Sequence, residues 1–194
     1  MKRIAFLISG SGSDMQSVLD AIDRGEIDGK AVLTVASNAQ AYGLVRAAAR
    51  GIPTAVCAKA DFADGEARDR EILRLLDEYN AELVVLAGYL GILSPFAAEK
   101  LKGRAINIHP ALLPSYGGKG FYGIRVHRAV IEAGEKVSGA TVHYVDGGTD
   151  TGEIIKQVRV PVEPGDTPET LAARVLEAEH VLLPQVVAEL CRDK

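Results

Sequence analysis

Cysteine is scarce in this chain. Cys57 and Cys191 are the only two among 194 residues, and neither has a partner at metal-ligand spacing. That excludes a disulfide scaffold and leaves two free thiols, the pattern expected of a reducing compartment. An excess of positive charge is also missing: 22 Lys and Arg stand against 26 Asp and Glu, a net charge of −4. Such a balance argues against non-specific nucleic-acid binding. No apolar run approaches the roughly 20 residues that cross a bilayer. The short run Ile4–Ile8 falls below the roughly 7–15 residues of a secretory signal core, and glycines and Asp14 follow it. Repeats, low-complexity tracts and linkers are absent from the sequence. The expectation is one cytoplasmic domain over residues 1–194, without membrane or nucleic-acid partners.

What is present is an alternation of short apolar runs with amphipathic stretches. Ile4–Ser9, Ala31–Ser37, Thr54–Val56, Leu83–Ala87 and Ala105–Ile108 read as strands. The unbroken apolarity of the first, second and fourth suits strands covered on both faces, as in a parallel sheet. Between them Asp14–Arg24, Ala41–Arg50 and Glu66–Tyr79 carry helical spacing, with Met15, Val18, Leu19 and Ile22 on one face of the first. This rhythm predicts βαβ units and an α/β, doubly wound, mostly parallel sheet flanked by helices. Pro95–Lys102 and Ile124–Ala133 read as further helices, and His109–Gly123 as a long loop rich in proline and glycine. Ala140–Val145 and Glu153–Val162 read as strands around the turn Asp146–Gly152. Thr167 caps a last helix, which Pro184 is expected to kink or split.

Two regions carry chemistry. Gly10-Ser11-Gly12-Ser13-Asp14 joins the first strand to the first helix, where unpaired N–H groups and the helix dipole favour an anion. A dinucleotide fits poorly: Met15 stands where the third glycine of G-x-G-x-x-G belongs. The second strand ends in Ala36-Ser37-Asn38, with no acid to hold a ribose. A phosphate monoester fits better. Asn107 and His109, two apart at a strand end, point to one face and offer an amide and an imidazole to a developing oxyanion. Asp150, in a glycine-rich turn, is a carboxylate that can favour the imidazolium and relay a proton.

The segments ISGSGSD from Ile8, VVLAGYLGILSP from Val84, NIHPALLPSY from Asn107, VHYVDGGTDTG from Val142 and AEH from Ala178 run through nearly the whole chain. In this order the sequence resembles the folate-dependent formyltransferases that act on phosphoribosylglycinamide in purine synthesis. The resemblance implies a Rossmann-like fold and formyl transfer from 10-formyltetrahydrofolate to the glycinamide amine, without a metal. It implies catalytic roles for Asn107, His109 and Asp150, phosphate binding by Gly12, Ser13 and Asp14, and contact of Glu179 with the ribonucleotide. Leu90, Gly91, Ile92 and Leu93 match the segment lying against the folate pterin. Asn107 and Asp146 fall in the remaining folate contacts. A nucleotide-binding half of about 1–103 and a catalytic, folate-binding half of about 104–194 follow, with a homo-oligomer left open.

The chain departs from the family pattern at several points. Ser115–Arg125 is longer, Glu153 stands in place of a turn proline, and Gly91 and Gly65 stand where relatives carry arginine, with Arg68 and Arg70 as the nearest replacements. Lys119 is a candidate for a phosphate or for the folate tail. His127 and His180 read as ordinary structural histidines, and His143 as a support to its strand neighbours. The alternative readings are a formyltetrahydrofolate hydrolase and a non-catalytic nucleotide or folate sensor.

Overall fold

The computed structural model describes residues 1–192. Seven strands form one sheet in the order β3-β2-β1-β4-β5-β6-β7. They are β1 (Lys2–Ile8), β2 (Gly29–Ala36), β3 (Thr54–Val56), β4 (Leu83–Leu86), β5 (Ala105–His109), β6 (Val137–Tyr144) and β7 (Ile154–Pro161). β1 to β5 pair in parallel, β6 runs antiparallel to β5, and β7 antiparallel to β6. This is the doubly wound, mostly parallel sheet that the apolar runs predict.

Six helices cover the sheet: α1 (Ser13–Asp23), α2 (Gly43–Ala49), α3 (Gly65–Glu78), α4 (Pro95–Lys100), α5 (Ile124–Glu132) and α6 (Pro168–Arg192). The pleat of β1 divides its side chains between two cores. Ile4, Phe6 and Ile8 pack with α1, α5 and α6, while Ala5 and Leu7 pack with α3 and α4. Burial on both faces explains why β1 and β4 are apolar without alternation.

One expectation changes. Thr167 caps α6 as read, its Oγ1 accepting from the Thr170 N–H at 3.2 Å. Pro184, however, does not split that helix, which runs 25 residues through it. The buried Leu182, Leu183, Val186 and Val187 hold the stretch on either side of the proline against the sheet. A short 3-10 turn at Lys59–Asp61 carries no signal in the apolar pattern.

The strand order reverses between β1 and β4, because the chain winds outward to β3 before returning. In open α/β sheets the crevice at that reversal, beyond the carboxyl ends of the strands, is where ligands bind. Here those ends are Ser9-Gly10 after β1, Gly88–Leu93 after β4, and His109 closing β5.

Candidate active site

A cleft of about 860 Å³ opens there, within the range of sites for small organic ligands. Asp14, Asn107, His109, Asp146, Asp150 and Glu179 all line it, together with Leu90, Gly91, Ile92 and Leu93. Gly12 and Ser13 are not among its lining residues, although Gly10 is. The two chemical regions of the sequence thus share one cavity.

At the β5 end the polar side chains hold one another. Asn107 and His143 are register partners across β5 and β6. The Nδ1 of His143 lies 2.8 Å from the Tyr144 carbonyl, which can only accept, so Nδ1 carries the proton. In the neutral ring His143 Nε2 accepts from the Asn107 amide at 3.1 Å, and in the protonated ring the same nitrogen, 3.6 Å from Asp150 Oδ1, turns its N–H to that carboxylate. The second N–H of Asn107 points towards Asp150 Oδ1 at 3.5 Å, too long to be held tightly. His109 donates from Nε2 to the Tyr116 carbonyl at 2.8 Å, leaving Nδ1 to face Asp150 Oδ2 at 3.6 Å. Asp150 has a left-handed backbone, φ 57°, and its Oδ2 accepts from the Gly118 N–H at 3.0 Å.

Burial sets the protonation here. It pulls His109 below its ordinary value of 6.5, and the opposing charge of Asp150 and the Tyr116 carbonyl do not fully offset it. The ready imidazolium that the sequence suggests is therefore disfavoured. Burial also pushes Asp150 upward, but His143, His109 and the Gly118 N–H outweigh it and hold the carboxyl below 3.8. Asp150 is an anion at neutral pH.

At the β1 end the balance is different. Gly12 caps α1 with φ +70°, and a Cβ there would stand 2.6 Å from the Gly43 Cα, so only glycine lets α2 approach the loop. Arg46 of α2 donates to the Ser11 carbonyl at 2.8 Å, bringing a cation beside the loop. The Asp14 side chain turns inward. Its Oδ1 lies 3.6 Å from His180 Nε2, yet neither atom has a hydrogen-bond partner among the described residues. Burial raises the Asp14 carboxyl to about 6. Glu179, 6 % exposed, is raised well above 4.5 by burial and then by the charge of Asp14. Glu179 is thus no solvated helix charge.

The wall after β4 is apolar. Leu93 is buried, while Leu90 and Ile92 stand exposed at the rim. Gly91 lies under the Tyr89 ring, where a Cβ would come within 2.5 Å of ring carbon. Asp146 lines the opposite side, its Oδ1 committed to the Gly148 N–H and the Thr151 hydroxyl. The exposed Lys119, Phe121 and Tyr122 bring the long loop to the same cavity.

Both candidate replacements for the missing arginines are engaged elsewhere. Arg70 pairs with Glu66 and stacks over Phe96, and Arg68 is buried against Asp69; neither lines the cleft. The support read for His143 has a definite partner, Asn107, which the β5–β6 register places opposite it. Two features carry no signal in the sequence. His127 lines the cleft with Nδ1 unpartnered among the described residues, and burial lowers it to about 4. Arg46 lies 35 residues along the chain from Ser11, the loop residue that it braces.

The sheet and its cleft define an α/β enzyme of the doubly wound kind. The sequence profile of the family described as "Formyl transferase" matches residues 2–187. A solved structure of glycinamide ribonucleotide transformylase 1 from Symbiobacterium toebii superposes with a TM-score of 0.93 at 38% identity, covering 98% of this chain and 88% of that one. Phosphoribosylglycinamide formyltransferase, chloroplastic, of Arabidopsis thaliana is 40% identical over 100% of the chain, which spans 66% of the plant protein. The trifunctional purine biosynthetic protein adenosine-3 of Drosophila pseudoobscura pseudoobscura is 47% identical over 97% of the chain, which spans 14% of that protein. The chain belongs to the formyl transferase family.

Proposed function

We propose that the chain transfers the formyl group of 10-formyltetrahydrofolate to the amine of 5-phosphoribosylglycinamide, a step of purine biosynthesis. One observation carries the reading: Asn107, His109 and Asp150 share a cleft with the amino-terminal end of α1. The names of the relatives support the formyl group and the phosphoribosylglycinamide acceptor. In this reading residues 1–194 act as one domain: the α1 turn and Glu179 hold the acceptor, the Leu90–Leu93 wall and Asp146 the donor, and Asn107, His109 and Asp150 lie between them. Two unpaired cysteines suit a reducing, cytoplasmic setting.

The acceptor's phosphate meets the backbone N–H groups of the Gly12–Asp14 turn, with Arg46 nearby to balance charge. The Asp14 carboxylate repels a phosphate, so its side chain is assigned with Glu179 to the polar middle of the acceptor instead. The donor ring lies on the Leu90–Leu93 wall, opposite Asp146. The acceptor amine gives its lone pair to the formyl carbon, and the C=O π pair moves to oxygen. The Asn107 N–H that its 3.5 Å contact with Asp150 holds only loosely, and the His109 ring, receive that charge. An oxyanion beside His109 adds to the field of Asp150 and offsets the burial that keeps the ring neutral. Asp150 assists passage of the proton from the attacking amine to N10 of the folate. Collapse then restores C=O, breaks the C–N10 bond and releases tetrahydrofolate and the formylated amide.

A transfer assay with both substrates tests this. Formylation of the acceptor, with no formate released when the acceptor is left out, is the expected result. Formate without acceptor would make the chain a hydrolase, and saturable binding without turnover a sensor.

A further inference from the structure

The stretch between β4 and α4 forms the apolar wall of the cleft, yet no ladder or helix holds it. Backbone in that state needs partners from elsewhere, and three side chains supply them. Ser9 Oγ accepts from the Leu90 N–H at 2.8 Å. Arg68 donates from Nη2 to the Ile92 carbonyl at 2.7 Å. Asp69 Oδ2 accepts from the Ser94 N–H at 2.5 Å. The last two residues are neighbours on α3, both buried, and they hold each other. Asp69 Oδ1 accepts from Arg68 Nε at 2.9 Å and from Nη2 at 2.6 Å. One guanidinium edge therefore bridges a carboxylate and the wall's backbone.

A buried ion pair is an expensive way to fill a core, because apolar residues of similar volume stabilise as well or better. What apolar residues cannot do is grip a carbonyl and an N–H two residues apart. The pair's hydrogen bonds beyond itself, from Arg68 Nη2 and to Asp69 Oδ2, both end on this one segment, at Ile92 and Ser94. Gly91 between Leu90 and Ile92 leaves room for the Tyr89 ring, so the wall is pressed from within as well as tied from behind.

We propose that Arg68 and Asp69 form a positioning bracket that holds Leu90–Leu93 as a preformed wall for the formyl donor, without touching the donor themselves. This rests on the proposed function for its assignment of the wall to folate. Both residues act through the segment, so the donor side of the cleft depends on them and the acceptor side does not.

The test is the pair of Michaelis constants in the full chain, with folate binding by calorimetry as a readout independent of turnover. The double variant R68M/D69L removes both ties while keeping an apolar core. Arg68→Lys keeps the charge beside Asp69 but lacks the fork that reaches Ile92 as well. The donor KM and the folate Kd are each expected to rise on the order of tenfold, as a loosened wall misplaces its ligand. The acceptor KM stays within about twofold. A folded double variant with unchanged donor KM overturns the bracket, and so does a parallel rise in both constants, which marks a merely structural pair. If the double variant does not fold, Arg68→Lys is judged by the same criteria. A wild-type chain that binds folate without transferring formyl sinks the proposed function and leaves the bracket to be judged on the Kd ratio. A wild-type chain that binds no folate overturns both.

Discussion

The two ends of the cleft satisfy their buried polar groups in opposite ways. Around β5, Asn107, His109, His143 and Asp150 find partners in one another and in the Tyr116, Tyr144 and Gly118 backbone. Beside α1, Asp14 Oδ1 and His180 Nε2 face each other without a hydrogen bond, and Glu179 shares the same buried corner. Unpaired buried polar atoms cost free energy unless a ligand supplies the partner. The first end is therefore preorganised for chemistry, and the second is held in a costly state that an incoming polar substrate relieves.

The largest effects should come from the preorganised end. Asn107→Ala and His109→Ala should each lower kcat by about 10²–10³, the usual cost of losing one aligned oxyanion donor. Single-turnover rates on folded protein check this, and a near-normal rate in either variant would remove that residue from the mechanism. Asp150→Asn should cost on the order of 10²-fold in kcat, since the amide keeps the shape but loses the base. It should also change the pH profile of kcat, and an unaltered profile would argue for a purely structural carboxylate.

The strained end should respond in binding and stability instead. Glu179→Gln should raise the acceptor KM by roughly tenfold, through loss of a charge-assisted hydrogen bond. The same change should stabilise the unliganded chain by about 0.5–2 kcal/mol, the exchange of stability for function expected at a binding site. Thermal melts with and without acceptor measure both, and a destabilised free variant would break the contrast drawn here. The smallest effect concerns pH. The Asp14 carboxyl is raised from 3.8 to about 6, so the folded state keeps its proton longer than the unfolded chain. That contribution is complete below about pH 4 and is lost as pH rises through about 6. Asp14→Asn should remove this loss, so that the Tm difference between variant and wild type widens from about pH 4 to pH 7.

Much of this was legible in the chain itself. Continuous apolar runs at Ile4–Ile8 and Leu83–Leu86 announce buried parallel strands, and the glycine turn at Gly12 announces the start of α1. The spacing of Asn107 and His109 places both on one side of β5. His143 was less visible, because its link to Asn107 depends on an antiparallel register set by residues far off in sequence. In the sequence Arg68 reads only as a stand-in for a folate-contacting arginine, and Asp69 is not singled out. A charged pair on a helix reads as solvated until the segment that buries it is known.

The sequence by itself determined the order of strands and helices and the residue types available for catalysis, because periodicity and turn chemistry act between near neighbours. Only the tertiary structure decided which polar groups are paired. It seated Asp14 against α6, matched His143 to Asn107 and turned Arg68 inward, because burial and electrostatics depend on what surrounds a group in space.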